Sequence, residues 1–563
     1  MKRLFTRLVG AAVALCLATT AAYAVQIPNS VQPSRIQKQI VPQTTPQMTV
    51  PSISGAKRPE RIIAPKGAKK YKFTLRSVRI EGMTVYKDAS VRPLYAKDIG
   101  KTVTLAYVYG LAEKLTAKYR NDGYILTRVV VPPQTIKRGT VVLHAVEGFV
   151  HKVTIRGESG GHEDFLYRMA APLTTKRPMN MKTLERVLLL MNDLPGLFAR
   201  AVLSPAPKTR AASDVTIFVT HKRTDFSAQI DNRGTRYLGP LQMNVTAQLN
   251  SPTKHFDSLQ AQIAKTPDSN EMAFGSLTYT VPLGANGTQL SLGGNVGHDV
   301  PGYSLGQFDL SGWSKSAFVQ VSHPFIRSRW KNLSALLRLD YLDSYYTDNL
   351  VTSTVADRLS VLRLGTTYQF ADRFVGINTL TSEISHGLGI FHPTMPGTPS
   401  MSRARGRSNF TKITAQISRL QRLTEKTQLY AAVSGQKSAD LLLASEEFGV
   451  GGTQFGGAYD PSEISGEDGV AAKLELRYNG TVNKRWLKSY QAYTYYDIGK
   501  VWDPAATTSE GRIASLASAG AGVRMNFTKT VAGSLEAALP LTRPVATTHN
   551  NHARFFFTLN VKF

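Results

Sequence analysis

The chain has 563 residues, 42% of them apolar and 19% charged, and its Lys and Arg outnumber Asp and Glu by 68 to 39. That apolar content excludes a disordered or low-complexity protein, and a mean hydropathy of −0.17, with no long apolar run beyond the N-terminus, excludes a bundle of membrane-spanning helices. A β-barrel stays open, because alternating apolar and polar residues average to mild hydropathy.

Residues 1–24 read as an export signal. Lys2, Arg3 and Arg7 precede an apolar run from Leu8 to Ala18, and the segment closes on Ala22-Tyr23-Ala24, a small-x-small cleavage site. Cleavage is expected after Ala24, which removes the single cysteine, Cys16, and with it thiolate chemistry, disulfides and cysteine metal sites. The formal charge of +29 falls to about +26 without the three basic residues of the signal. Export and the absence of zinc-finger, basic-zipper or RNP-type patterns argue against nucleic acid as a partner. Basic residues scattered through predicted loops suit anionic lipid headgroups or an acidic client instead.

Residues 25–72 form a linker with Pro28, Pro33, Pro42, Pro46, Pro51, Pro59 and Pro65. Proline at this density predicts an extended, mobile segment in which only Ser34 to Ile40 suits a short helix. Residues 73–149 read as a small α+β unit. Phe73 to Ile80 alternates as a strand, and Tyr107 to Tyr119 sets Val108, Leu111, Leu115 and Tyr119 at helical spacing. Asn121-Asp122-Gly123 ends that helix, and strands Ile125 to Val131 and Val141 to Val146 follow. Residues 150–222 repeat the theme with strand Val153 to Ile155, helix Met181 to Met191 and strands Ala199 to Leu203 and Asp214 to Thr220.

From residue 223 to 563 helical periodicity disappears, and period-two segments of about ten residues recur sixteen times. They run from Phe226 to Asn232 at the start to Ala553 to Phe563 at the end, with Ser334 to Tyr345, Arg358 to Phe370, Val470 to Tyr478 and Gln491 to Val501 among them. Later connections alternate between long (298–316, 388–410, 436–469) and short (371–373, 528–530), with 479–490 as an exception. Long loops on one side and short turns on the other predict a sixteen-stranded antiparallel transmembrane β-barrel with both ends on one side. In the last strand Phe557, Leu559, Val561 and the terminal Phe563 share one face, as a lipid-facing closing strand requires.

The order of signal, proline-rich linker, two α+β units and sixteen-stranded barrel resembles TpsB transporters of two-partner secretion, the haemolysin-activator and haemagglutinin-exporter relatives. The first unit looks like the family's first POTRA domain, with Gly123-Tyr124, Pro132, Gln134, Gly139 and Gly148 at matching places. The resemblance implies an outer-membrane barrel with both POTRA domains in the periplasm. It also implies a monomer in contact with outer-membrane lipid and lipopolysaccharide, and a secreted exoprotein client.

The loop 438–468 carries Phe455-Gly456-Gly457-Ala458-Tyr459-Asp460 and resembles the family's sixth extracellular loop, which folds into the pore. The family's loop tip bears an arginine that pairs with a wall aspartate. Aligning Tyr459 with the family aromatic puts Gly457 at the arginine position, so the arginine is missing. The wall partner is present as Asp497, followed by Gly499. Two substitutes are open: a water-filled lumen that solvates Asp497, or another arginine among Arg403, Arg405, Arg407 and Arg477. The loop is still expected to enter the lumen, anchored by Tyr459.

Gly157 to Gly161 lacks the Gly-Lys-Ser/Thr of a phosphate loop, and no zinc-protease or serine-hydrolase motif occurs. His386, His392, His549 and His552 lack metal-ligand spacing. No enzyme activity, cofactor or metal is expected. The expected function is ATP-independent export of an unfolded adhesin or haemolysin through the barrel. A client strand would add to a POTRA sheet edge, with Phe73 to Ile80 and Val153 to Ile155 as candidates. A barrel-assembly insertase and a passive porin or adhesin are the competing readings.

Overall fold

The computed structural model describes residues 28–36, 40, 53–54 and 63–563, apart from 208, 210, 268, 404, 483, 505 and 507–511. The predicted export signal lies outside the described residues.

In the first α+β unit, strand Ser77–Glu81 pairs in parallel with Thr140–Val146, which pairs antiparallel with Arg128–Val130. Helix α1 (Leu105–Asn121) covers this sheet, and its start is capped by the Thr104 hydroxyl, which accepts from the Tyr107 N–H. The four residues set at helical spacing, Val108, Leu111, Leu115 and Tyr119, are all buried in one cluster with Leu75, Val129, Val141 and Leu143. The expected strand from Phe73 to Ile80 is in fact two. Lys72–Thr74 pairs with Thr102–Thr104, and Ser77–Glu81 joins the main sheet. The break comes at Leu75 and Arg76, where Leu75 turns into the core and the two N–H groups are taken by Lys101 O and Gly139 O. The expected strand from Ile125 shortens to Arg128–Val130, because residues 124–127 form a turn in which the Thr127 N–H donates to Tyr124 O.

The second unit has strands Phe149–Gly157, Leu197–Pro205 and Ala212–His221, with the last in the centre. Helix α2 (Glu163–Ala170), which periodicity did not reveal because it is little more than two turns long, buries Leu166, Met169 and Ala170. Helix α3 (Met181–Asn192) is amphipathic as expected and buries Leu184, Val187, Leu188 and Met191. Where the linker is described, Asn29–Val31 and Pro33–Arg35 are 3-10 turns rather than the expected extended chain. Pro33 sits at the start of a 3-10 turn over Pro33–Arg35, where its fixed φ is an asset. Ile53–Ser54 lies parallel against Ala201 and Val202 and covers the Leu197–Pro205 edge of the second sheet.

All sixteen expected barrel strands are present and close on themselves. They are β1 (Thr224–Asp231), β2 (Gln242–Asn250), β3 (Ser258–Lys265), β4 (Met272–Pro282), β5 (Gln289–Asp299), β6 (Leu310–Arg327), β7 (Lys331–Asp348) and β8 (Ser353–Ala371). The second half is β9 (Gly376–Leu388), β10 (Thr411–Arg422), β11 (Thr427–Ser438), β12 (Asp468–Thr481), β13 (Ser489–Trp502), β14 (Ile513–Asn526), β15 (Val531–Pro540) and β16 (Arg554–Lys562). The exceptional connection 479–490 shrinks to 482–488, because both flanking strands extend. Ile263, Leu277, Leu292, Val319, Leu337 and Leu364 stand exposed on the outer face. Such a continuous apolar belt is stable only against lipid. On β16, Phe555, Leu559 and Phe563 face outward, while Thr558, Asn560 and Lys562 line the lumen.

The second unit is fixed to the barrel mouth. Phe256, in the turn between β2 and β3, is wholly buried in that unit's core. Arg327, at the end of β6, forms two hydrogen bonds with Asp193 at 2.6 and 2.7 Å. The two units meet at Gly123, whose φ of +97° only glycine adopts freely. A Cβ there would lie 2.7 Å from Asn180 Oδ1, and the Gly123 carbonyl accepts from the Met181 N–H.

Candidate functional site in the barrel lumen

Because side chains alternate along each strand, the residues that face away from lipid converge on one enclosed space. A cavity of about 790 Å³ remains there, lined by Arg35, Arg477, Arg524, Lys473, Glu475 and Glu536 among others. Among the described residues, the N-terminal residues 28–36 and the loop 439–467 also occupy the lumen.

The N-terminal segment is a plug. Val31 and Ile36 cluster with Tyr237 and Leu238 of the β1–β2 connection and with Phe274, Leu310 and Tyr346 of the wall. Arg35 is 1% exposed; its Nε donates to Ala444 O at 2.8 Å, its Nη2 to Glu447 O at 3.0 Å, and the Glu447 carboxylate lies 3.6 Å away. Arg403 holds Glu447 from the other side at 2.8 Å and also binds Glu467 and Asp503. Nothing in the local sequence singles out Arg35, since its partners lie more than 400 residues away.

The loop 439–467 packs inside the barrel. Its stem is a short ribbon of Phe448–Val450 with Ile464–Gly466. Its tip turns at Gly451, Gly452 and Gly456, whose φ values of +128°, +87° and +92° favour glycine. Phe455 is buried with Val450, Ile464, Val501, Leu516 and Val545, and Ala458 with Tyr493, Tyr495 and Phe556. Tyr459, 2% exposed, donates its hydroxyl to Ala517 O and Arg543 O, both at 3.2 Å.

Asp497 faces this tip from β13 and is fully buried, so solvation by a water-filled lumen does not account for it. Neither does any of the four expected arginines. Arg477 pairs with Glu475 at 2.7 Å, Arg403 with the carboxylates above, Arg407 with Asp440 at 3.7 Å, and Arg405 is exposed. Asp497 Oδ2 instead accepts from the N–H groups of Gly456 and Gly457 at 3.0 and 2.9 Å, and Lys473 Nζ stands 3.6 Å from Oδ1. Lys473 is the register partner of Asp497 on β12, a relation recoverable from strand alignment alone. Glycine at 457 is demanded by space, because a Cβ there would sit 2.3 Å from the Tyr495 hydroxyl. Gly499 plays the same part for the stem, where a Cβ would lie 2.5 Å from Val450.

Asp460 carries the charge of the tip. It accepts from Arg554 Nη2 at 2.7 Å, Thr547 Oγ1 at 2.8 Å and Thr235 Oγ1 at 3.1 Å. Sequence reasoning placed Asp460 in the motif and missed these three donors.

The motif residues of the first unit build its frame. Pro132 and Pro133 stop the Arg128–Val130 strand, and the Gln134 side chain takes over its pairing with Val142, donating at 2.7 Å and accepting at 2.8 Å. Gly139 and Gly148 allow close backbone passage, since Cβ atoms there would lie 2.2 Å from Thr74 O and 2.4 Å from Leu126 O. The Tyr124 N–H donates to Tyr119 O, and the two rings meet edge to face. Glu147 accepts from the Thr84 and Val85 N–H groups and from the Tyr119 and Thr84 hydroxyls. Partial burial pushes its carboxyl up, but those hydrogen bonds outweigh burial and hold it below the usual carboxylate range. A depressed folded-state value gives stability that is complete above the unfolded value and lost as pH falls through the folded one. Acidification from about pH 5 to pH 3 is therefore expected to open the segment 82–86 to hydrogen exchange, and Glu147→Gln to remove that acid step.

Of the two candidate sheet edges, Ser77–Glu81 and Phe149–Gly157 are both edge strands. The far edge of the second sheet is the one taken by Ile53–Ser54.

A family model described as haemolysin secretion/activation protein ShlB/FhaC/HecB matches residues 212–525, and a ShlB-type POTRA domain model matches residues 73–148. The heme/hemopexin transporter protein HuxB of Haemophilus influenzae is 21% identical over 478 residues, 82% of each chain. The outer membrane transporter CdiB of Dickeya dadantii is 21% identical over 72% of each chain. Among solved structures, CdiB from Escherichia coli superimposes with a TM-score of 0.73 at 18% identity, covering 91% of this chain and 94% of that one. CdiB from Acinetobacter baumannii gives 0.62 at 16% identity, covering 94% and 96%.

Proposed function

The chain belongs to the haemolysin secretion/activation family of outer-membrane two-partner secretion transporters, and we propose that its cargo is an unfolded exoprotein of the adhesin or haemolysin type. The observation that carries this reading is a barrel closed by two parts of its own chain, the 28–36 plug and the 439–467 lid, with receptor-like sheets fixed at its periplasmic mouth. A passive porin has no use for either.

The client adds a strand to a free sheet edge, Phe149–Gly157 being the longer, and main-chain hydrogen bonds give sequence-tolerant affinity. The plug and lid then leave the lumen, and the client passes and folds outside. Folding at the surface makes the passage one-way, so ATP is not needed. The transporter works as a monomer, with its apolar belt against lipid and lipopolysaccharide.

The test is secretion of a candidate adhesin- or haemolysin-type exoprotein by cells that carry this chain. Deletion of residues 73–221 is expected to abolish export while the barrel still inserts. Proteoliposomes holding the full transporter are expected to take up urea-unfolded client without any nucleotide. Uptake that requires ATP, or export that survives the deletion, sinks the reading.

A further inference from the structure

The barrel has one weak ladder. β1 and β16 are in register over Ser227–Asp231 and Thr558–Lys562, only five residues on each strand, whereas β7 and β8 pair over eighteen. It is the shortest ladder of the barrel among the described residues. Mutual backbone bonds between Phe226 and Phe563 extend it at the periplasmic end. At the other end the Asn232 side chain reaches across, donating to Phe555 O at 2.9 Å and accepting from the Phe557 N–H at 2.7 Å.

Immediately beyond Asn232 the lid tip takes hold of both sides. From the β1 side, Arg233 donates to Gly457 O at 3.1 Å and Thr235 to Asp460 Oδ2 at 3.1 Å. From the β16 side, Arg554 donates to Ala458 O at 2.9 Å and to Asp460 Oδ1 at 2.7 Å, and Thr547 donates to Asp460 Oδ2 at 2.8 Å. One carboxylate, 2% exposed, thus receives donors from both edges of the seam. Both guanidinium groups also lie over the Phe556 ring, at 4.1 and 5.2 Å from its centre.

We propose that the lid tip is a clasp across the β1–β16 seam, with Asp460 as its charge and Arg233 and Arg554 as positioning residues that grip the tip from the two edges, Arg233 being itself held by Glu536 of β15 at 2.7 Å. The polarity is the inverse of a loop arginine on a wall acid: here the loop brings the acid and the wall brings the arginines. Charge-assisted hydrogen bonds in an enclosed site are about twice as strong as neutral ones. Lifting the lid removes three acceptors from the two arginines and leaves the seam on its short ladder, the Phe226 and Asn232 bonds at its two ends and the Arg233–Glu536 ion pair. Lid position and seam closure are therefore linked, and linkage is reciprocal. The clasp rests on the reading above only in that the lid moves during transport. Its consequence for transport is a barrel that widens when the lid departs.

Disulfide trapping tests the seam directly and needs no client, so it can fail without touching the secretion reading. The only cysteine is Cys16, so a Cys16→Ala background allows one pair at a time. The seam pair is Gln229→Cys with Asn560→Cys, and the control is Leu337→Cys with Leu364→Cys, both register partners. Asp460→Asn is expected to slow oxidation of the seam pair about tenfold and leave the control rate unchanged. Should Asp460→Asn fail to fold, Arg554→Lys, which keeps the charge and loses the fork, is expected to slow the seam pair less than Arg554→Gln. An unchanged seam rate in the folded variants, or equal slowing of both pairs, overturns the clasp.

Discussion

Replacing Arg35 by glutamate is expected to open the pore. The guanidinium is buried against two carbonyls and one carboxylate, and Glu447 would be left facing a second negative charge. Breaking a buried, hydrogen-bonded ion pair costs about 3–5 kcal/mol, which shifts the balance between seated and released plug by two to three orders of magnitude or more. Among the described residues the rest of the hold is chiefly apolar, Val31 and Ile36 each contributing about 1.5–3 kcal/mol of burial, beside the hydrogen bonds of Asn29 to Glu447 and Ser465. The two terms are comparable, so Arg35→Glu tips a plug that the remaining contacts secure only weakly. The measurement is single-channel conductance in planar bilayers, with uptake of a bulky antibiotic as the cellular readout. Arg35→Lys, which keeps the charge but cannot reach both carbonyls with one planar fork, is expected to fall between. A conductance unchanged in Arg35→Glu would remove residues 28–36 from the gate.

Asp497→Ala is expected to release the lid tip. The substitution leaves the N–H groups of Gly456 and Gly457 buried without an acceptor, and each such group costs about 1–3 kcal/mol. Lys473 also loses its facing carboxylate, although its hydrogen bond to Thr453 O at 2.8 Å remains. Asp497→Asn keeps an acceptor oxygen of the same reach and is expected to retain most of the seating. Restoring the family's arginine by Gly457→Arg is expected to harm rather than help, because the Tyr495 hydroxyl occupies the space of its Cβ. Labelling of a Ser462→Cys probe from outside the cell measures the lid, with Asp497→Ala expected to label fast and the parent slowly. Slow labelling in Asp497→Ala would mean that Asp497 does not hold the tip.

Much of this architecture was legible in the chain itself. The sixteen strands could be read because lipid on one face and a polar lumen on the other impose period two on every strand, and each strand meets that demand locally. The tip glycines were legible for a similar reason, since a tight turn selects glycine by its own backbone angles. The helix over Leu105–Asn121 was long enough to display its period, whereas Glu163–Ala170 was not.

The pairing of charges was another matter. Arginines 403, 405, 407 and 477 satisfied the missing cation by type, yet the group that met Asp497 was a lysine on the adjacent strand together with two backbone N–H groups. The linker's prolines spoke for extension, yet residues 28–36 found a seat in the lumen and Ile53–Ser54 an edge on the second sheet.

Fold class, strand number, lipid face and the turning points of the lid were thus set by the sequence alone, because each answers to the solvent or backbone angle at its own position. Which cation meets which acid, what fills the pore and what clasps the seam were decided only by closing the barrel. Closure brings Arg35 to Glu447 and Asp460 to Arg554, and attraction between charges depends on the distance between them in space, which strand periodicity does not encode.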